Sequence, residues 1–89
     1  MKNISTKNTY QNSNLEALEE AAQAQGFESR IWGTFLQWKN IGRTVKKGEK
    51  GTQIIKPVEK KIVNQNGKDI EKTIVRRYTI FNLEQTTEI

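Results

Sequence analysis

The sequence has no cysteine, no histidine, a single proline (Pro57) and a single aspartate (Asp69). Without cysteine there can be no disulfide framework, no thiolate nucleophile and no Cys-ligated zinc or iron–sulfur site. Without histidine the chain lacks the commonest general base and the commonest metal ligand, and with them any Ser-His-Asp triad or H-E-x-x-H helix. Asp69 falls at a turn, where a turn role suffices. The glutamates show no paired arrangement. No catalytic, cofactor-binding or metal-binding residue is assigned, and an enzyme is the poorest reading. Long apolar runs are missing too. None approaches the ~20 residues of a bilayer span, and Met1 to Ser13 is polar except for Ile4, too little for a signal peptide. A cytoplasmic protein with no membrane partner is expected.

What is there is a chain of 89 residues, 34% of them apolar, enough for one domain with a small core. Residues 1–12 are rich in Ser, Thr, Asn and Lys and read as a flexible N-terminal arm, leaving 13–89 as the domain. Ser13-Asn14-Leu15-Glu16 has capping-box spacing, Leu15, Leu18 and Ala22 recur at helical spacing, and Gly26 is a stop signal, which predicts a helix over 14–25. A second, short helix is signalled by Thr34 as cap, with Phe35, Trp38 and Ile41 on its inner stripe and Gly42 as terminator. From Thr52 the pattern turns to strand. Thr52 to Asn64 and Ile70 to Leu83 are rich in Ile, Val and Thr and flank Asn66-Gly67, a two-residue hairpin signal. That turn would pair Val58 with Val75, Ile55 with Tyr78, and Lys56 with Arg77, a like-charge pair that suits a nearby anion. The outer half, Glu59 to Thr73, is polar on both faces and should project as a ribbon. Pro57 fits an edge or a bulge. The predicted fold is α+β, with two short helices packed on a small antiparallel sheet and a long projecting β-hairpin.

Fifteen Lys and Arg stand against ten Asp and Glu, a net charge of +5. The charge is uneven. Residues 1–40 are neutral, and the acids on the outer face of the first helix (Glu16, Glu19, Glu20) would repel a polyanion. Residues 41–56 hold Arg43, Lys46, Lys47, Lys50 and Lys56 against Glu49 alone. A solvated basic loop is the plain reading of this segment. The sharper one is a sequence-tolerant phosphate contact, since clustered cations release condensed counterions on binding nucleic acid. Gly48-Glu49-Lys50-Gly51 forms a tight turn whose backbone could approach a phosphate, but there is no Walker A pattern. Neither helix is basic, which disfavours major-groove reading. Aromatic faces beside cations suit single strands instead. Phe35 and Trp38 are assigned to the core, whereas Trp32, Tyr78 beside Arg76 and Arg77, and Tyr10 are candidates for stacking.

Three blocks occur in order: Trp32-Gly33-Thr34-Phe35, then Gly42-x-x-Val45-x-Lys47-Gly48-Glu49-Lys50-Gly51-Thr52, then Tyr78-Thr79-Ile80-Phe81-Asn82-Leu83-Glu84-Gln85. Over about residues 10 to 85 the chain resembles the N-terminal single-stranded-DNA-binding domain of ArdC-type antirestriction proteins, which occur on plasmids and other mobile elements. Tyr10 and Asn14 also resemble that family's Y-x-G-x-N opening, with Asn12 where Gly is usual. The resemblance implies an α+β domain that binds single-stranded DNA with little sequence preference. Full-length members append a zinc metalloprotease-like domain, which is not expected in a chain that ends at Ile89 without a histidine. Short stand-alone versions resemble accessory proteins of mobile-element replication or transfer.

The expected function is therefore sequence-nonspecific binding of single-stranded DNA. Arg43, Lys46, Lys47, Lys50, Lys56, Arg76 and Arg77 would contact phosphates, and Tyr78, Trp32 or Tyr10 would stack on bases. The alternatives are a subunit that docks on a primase, polymerase or helicase of the same element, and an antirestriction factor.

Overall fold

The computed structural model describes residues 1–63, 66–67 and 69–89, with side chains described except at 60–63 and 69–71. The chain runs β1 (Lys2–Asn3), α1 (Asn12–Gln25), β2 (Ile31–Gly33), α2 (Phe35–Asn40), β3 (Arg43–Val45), β4 (Thr52–Val63), β5 (Asp69–Asn82), a 3-10 turn (Leu83–Gln85) and β6 (Thr86–Glu88). This is an α+β fold. Four strands form one sheet in the order β1-β2-β5-β4, and β3 pairs with β6 in a second. The main sheet is mixed, not purely antiparallel as expected, because β1 lies parallel to β2.

The first residues are tied down, contrary to a flexible arm. Met1 and Asn3 are buried, the Lys2 amide donates to the Arg30 carbonyl, and the Tyr10 amide donates to the Met1 carbonyl. The polar composition that suggested mobility is used locally: Asn3 Oδ1 accepts from the amides of Ser5 and Thr6, both at 2.9 Å. Helix α1 also starts earlier than its sequence signal. Gln11 holds the cap position with no side-chain bond, so Ser13 is not the cap. Asn12, where the helix enters, has φ 56°, a left-handed conformation that Asn tolerates better than most residues. The helix ends at Gly26, as its sequence indicates.

Thr34 caps α2 as expected. Its hydroxyl accepts from the Gln37 amide at 3.1 Å, while Gln37 Oε1 accepts from the Thr34 amide at 2.9 Å, a complete capping box. The predicted inner stripe does not hold. Trp38 is fully buried, but Phe35 is 47% and Ile41 54% exposed. A helix of six residues is under two turns long, so one position reaches the interior and Ile41 already lies at the C-cap.

The hairpin of β4 and β5 pairs from Thr52↔Ile80 to Val63↔Asp69. This register differs by one residue from the Asn66-Gly67 expectation, and the core explains why. The observed pairing sets Thr52 opposite Ile80 and Ile54 opposite Tyr78, so Ile54 and Ile80 share one face. Both are buried there with Met1, Leu18, Ala22 and Trp32. The two-residue turn would have put them on opposite faces, and burial outweighs the local turn preference. The polar side chains expected along Glu59 to Thr73 lie partly outside the described residues. The radius of gyration, 16.1 Å, exceeds the roughly 12 Å of a compact chain of this length. The hairpin is the cause: twelve residues of β4 at ~3.3 Å each run about 40 Å.

Pro57 lies on β4, the edge of the sheet. Two residues before it, the backbone amide and carbonyl of Ile55 point away from β5 and bond the side chain of Asn14. By the strand repeat, the backbone of Pro57 faces the same way, so its missing N–H breaks no ladder bond.

Candidate nucleic-acid interface

The sheet face that carries Ile54 and Ile80 continues outward to Lys56, Arg76 and Tyr78. Residues directly opposite share a face in an antiparallel pair, so Lys56 sits beside Arg76, its register partner. The expected like-charge pair is present with a changed partner: Arg77 is displaced to the opposite face, opposite Ile55. Both Lys56 and Arg76 are exposed, and neither forms an ion pair among the described residues. Side by side on a pleated surface, two cations repel each other by a few tenths of a kcal/mol or more. An anion placed between them would reverse the sign.

Below this pair lies a cleft of about 660 Å³, lined by the N-terminal segment, the starts of α1 and α2, and the sheet face. Its apolar floor is Ile54 and Ile80, with Tyr78 and Lys56 from the strands and Tyr10 from the N-terminal segment. Among the described residues no carboxylate lines it. Tyr10 is half-buried, and its hydroxyl accepts from Asn3 Nδ2 at 2.9 Å. Burial pushes the Tyr10 hydroxyl pKa up from 10.0, with the Asn3 hydrogen bond opposing in part, so the hydroxyl keeps its proton at neutral pH. Tyr78, 36% exposed, offers part of its ring to solvent. Asn14 closes one side of the cleft. Its Nδ2 donates to the Ile55 carbonyl at 2.7 Å and its Oδ1 accepts from the Ile55 amide at 2.9 Å, which fixes α1 to the strand edge. Asn14 and Leu18 share the helix face turned to β4, one turn apart, and Glu16 and Glu20 lie nearly opposite. The acids are thus carried away from the cleft, and Glu19 is paired with Arg30 at 2.8 Å.

The basic loop enters β4 at its first residue, Thr52, whereas Lys56 stands four residues further along the strand. Lys50 and Lys56 are six residues apart, about 20 Å along a strand, so the loop and the cleft are separate cationic positions. The Lys46 carbonyl accepts from the Glu49 amide at 3.2 Å, closing a turn in which Gly48 has φ 86°. A side chain there would be strained. Gly51 is required for another reason: a Cβ would overlap Thr79 Cγ2 and come within 2.9 Å of the Ile80 carbonyl oxygen. Gln85, fully buried, holds both ends of the loop. Its carbonyl accepts from the Lys46 amide at 2.9 Å, and its Nε2 donates to the Lys50 carbonyl at 2.7 Å. Lys46 Nζ donates to the Glu84 carbonyl at 3.2 Å, whereas Lys47 and Lys50 are exposed with no such partner among the described residues.

Two of the candidate site residues are structural. Trp32 is fully buried; its indole N–H donates to Met1 Sδ at 2.9 Å and its ring meets Phe27 edge-on at 6.0 Å. It has no face to offer a base. Arg43 spends its guanidinium on strand β6, donating to Thr86 Oγ1 at 2.8 Å and to the Thr86 carbonyl at 3.2 Å, with Glu88 at 3.8 Å. The cleft residues that sequence reasoning missed include Asn3, Gln37, Ile54 and Ile80. Gln37 was visible as the residue three after a Thr cap, but nothing in the sequence joins it to Asn3 across 34 positions.

These features coincide with a known domain. A family model for the N-terminal domain of anti-restriction factor ArdC matches residues 1–82. The chain belongs to this family. It is similar to the crystal structure of the antirestriction ArdC protein from the R388 plasmid in its metal-free form, with a TM-score of 0.90 and 28% identity over 99% of this chain and 32% of that one. The Mn(II)-bound form of the same protein matches with a TM-score of 0.77 at 28% identity, over 99% of this chain and 34% of that one. Uncharacterized protein y4eC of Sinorhizobium fredii (strain NBRC 101917 / NGR234) is 31% identical over 91 residues, which cover 93% of this chain and 30% of that protein. The chain spans about a third of the length of these relatives. As an ArdC N-terminal-type domain, it uses the paired blocks as a mutual support: Gln85 and Asn82 of the last block hold the loop of the middle one and the approach to β2, the latter through Asn82 Nδ2 and the Ser29 carbonyl at 2.7 Å. Among the described residues no helix is long and apolar enough to cross a membrane.

Proposed function

We propose that this ArdC N-terminal-type domain binds single-stranded DNA with little sequence preference and is not an enzyme. The observation that carries the reading is the Lys56 and Arg76 pair, in no ion pair among the described residues, beside Tyr78, with Lys56 and Tyr78 lining a cleft that no carboxylate lines among the described residues. Lys47 and Lys50, with Lys46, extend the cationic track in the loop that enters β4, so a strand would meet phosphate contacts at two separate positions. Arg77 stands on the opposite face and would serve a strand that wraps the ribbon edge. Base stacking falls to Tyr78 and Tyr10. The cell biology that fits is an accessory role in replication or transfer of a mobile element, in the cytoplasm.

Binding of labelled single-stranded and duplex oligonucleotides across a salt series tests this. Single strands should bind more tightly, with affinity falling as salt rises. Replacing Lys56 and Arg76 together with Ala should weaken binding uniformly across sequences and flatten the salt slope by up to about two. Salt-independent binding, or none at low salt, would sink the reading.

A second reading has its own observation. Phe35, Leu36, Ile41 and Ile89 are all exposed, three of them in or next to α2, with the Ile89 amide bonded to the Gly42 carbonyl at 3.0 Å. Exposed apolar side chains of this kind favour docking on a primase, polymerase or helicase, or on the target of an antirestriction factor. Loss of co-purification with such a protein after Leu36→Glu and Ile41→Glu, with DNA binding intact, would favour it.

A further inference from the structure

We infer that the cleft is a subsite for one unstacked nucleobase of the bound single strand, and that it favours a base bearing a carbonyl oxygen. This rests on the reading of the domain as a single-strand binder and adds a base-reading position to otherwise sequence-tolerant contacts.

Several hydrogen-bonding groups beside the cleft cannot be turned round. The amides of Ser5 and Thr6 are donors only, and both bond Asn3 Oδ1. Asn3 Nδ2 is thereby fixed as a donor, and it is spent on Tyr10 Oη and on Gln37 Oε1, each at 2.9 Å. The Thr34 amide bonds the same Gln37 oxygen. Two donors on one oxygen fix the carboxamide of Gln37, so its Nε2 is a donor with no acceptor among the described residues. The hydroxyl of Tyr10 already accepts from Asn3, so its own hydrogen is likewise left to give. Gln37 and Tyr10 both line the cleft. Through a shared partner, two oriented donors therefore meet in one wall.

The rest of the cleft matches a base in size and chemistry. Its volume falls within the ~300–1,000 Å³ of small-ligand sites. Ile54 and Ile80 give a flat apolar floor, and the rings of Tyr10 and Tyr78 are available for stacking, which is how single-strand binders hold bases. Lys56 lines the cleft and Arg76 is its cross-strand partner, where the phosphate attached to an inserted base would lie. A carbonyl oxygen has two lone pairs and can accept from both donors at once, whereas adenine carries no carbonyl and its ring nitrogens each offer a single lone pair. Thymine and cytosine each present a carbonyl.

The test measures affinity of the full chain for twelve-nucleotide oligo(dT), oligo(dC) and oligo(dA), and for an abasic sugar–phosphate strand of the same length. Oligo(dA) stacks on itself, so the wild-type ranking alone does not decide the matter. The decisive variant is Gln37→Glu, which keeps an oxygen for the Thr34 amide and keeps the capping box, but removes the donor. Its negative charge weakens every strand alike, so the ratio of affinities is the readout. Wild type should prefer both pyrimidine strands over oligo(dA) by about fivefold, the worth of a single hydrogen bond, and over the abasic strand by more. In Gln37→Glu the pyrimidine preference over oligo(dA) should fall toward one. Tyr10→Phe, which keeps the ring and removes the other donor, should move the ratio the same way. If wild type binds all four strands equally, or if both variants keep the wild-type ratio, the base subsite is overturned while single-strand binding stands. If no strand binds in a salt-dependent way, both readings fail.

Discussion

Asn12 adopts φ 56°, a left-handed conformation, and its neighbours show what that conformation accomplishes. Tyr10 forms one wall of the cleft, and Asn14 grips Ile55 with both ends of its carboxamide. Between them the chain must reverse sharply into α1, and a left-handed residue makes the turn. Tyr10, Asn12 and Asn14 are thus a wall residue, a turn and a clamp at alternate positions. Left-handed backbone costs a residue with Cβ roughly 1–2 kcal/mol, and Asn escapes part of that. Asn12→Gly should therefore be neutral or slightly stabilising, whereas Asn12→Val should lower stability by about 1–2 kcal/mol. Urea unfolding followed by tryptophan fluorescence measures both, and Val tolerated as well as Gly would contradict this account.

At the scale of elements, the basic loop is held at both ends by a residue that lies outside it. Gln85 has no exposed surface, and its side chain accepts from the Asn82 amide at 2.9 Å and donates to the Lys50 carbonyl. Truncation to Ala would leave both backbone groups without partners in the interior. Each orphaned group costs about 1–3 kcal/mol, so Gln85→Ala should be among the most destabilising polar substitutions in the chain. The same variant should loosen Lys46 to Lys50, read as faster amide hydrogen exchange in that segment than in β4. Sequence patterning located the elements that repeat often enough to be counted: α1 to its glycine stop, the Thr34 cap, and the two long strands within a residue of their limits. It could not reveal β1, β2, β3 and β6, which have two or three residues each and no room for a period. The hairpin register was misjudged because Asn66-Gly67 is a local signal, whereas the pairing is set by Ile54 and Ile80 sharing the buried face. Of the candidate site, the cations and Tyr78 were legible as composition. The burial of Trp32 and the engagement of Arg43 were not, since both depend on partners far along the chain: Met1 for one, Thr86 for the other.

For the molecule as a whole, the core and the extended hairpin are separate matters. Among the described residues the buried apolar ones are Met1, Leu18, Ala22, Trp32, Trp38, Ile54 and Ile80, none of them beyond Ile54 on β4. Replacing residues 59–73 with Asn-Gly would join Val58 to Ile74, which already face each other, and would remove no buried apolar side chain found among the described residues. The shortened chain should keep its fold, with a melting temperature within a few degrees of the parent and a smaller hydrodynamic radius. Calorimetry and analytical ultracentrifugation check both, and a collapse in melting temperature would place part of the stability in the ribbon. A free-standing ribbon this long carries a hazard of its own, because β4 is an outer strand that could recruit further strands without limit. The carboxamide of Asn14 occupies its bonding groups at Ile55, and the ring of Pro57 deletes the next donor in the same row. Two adjacent positions thus interrupt the template along which copies would otherwise zip together. The clamp that shapes the cleft also helps keep the protein from polymerising.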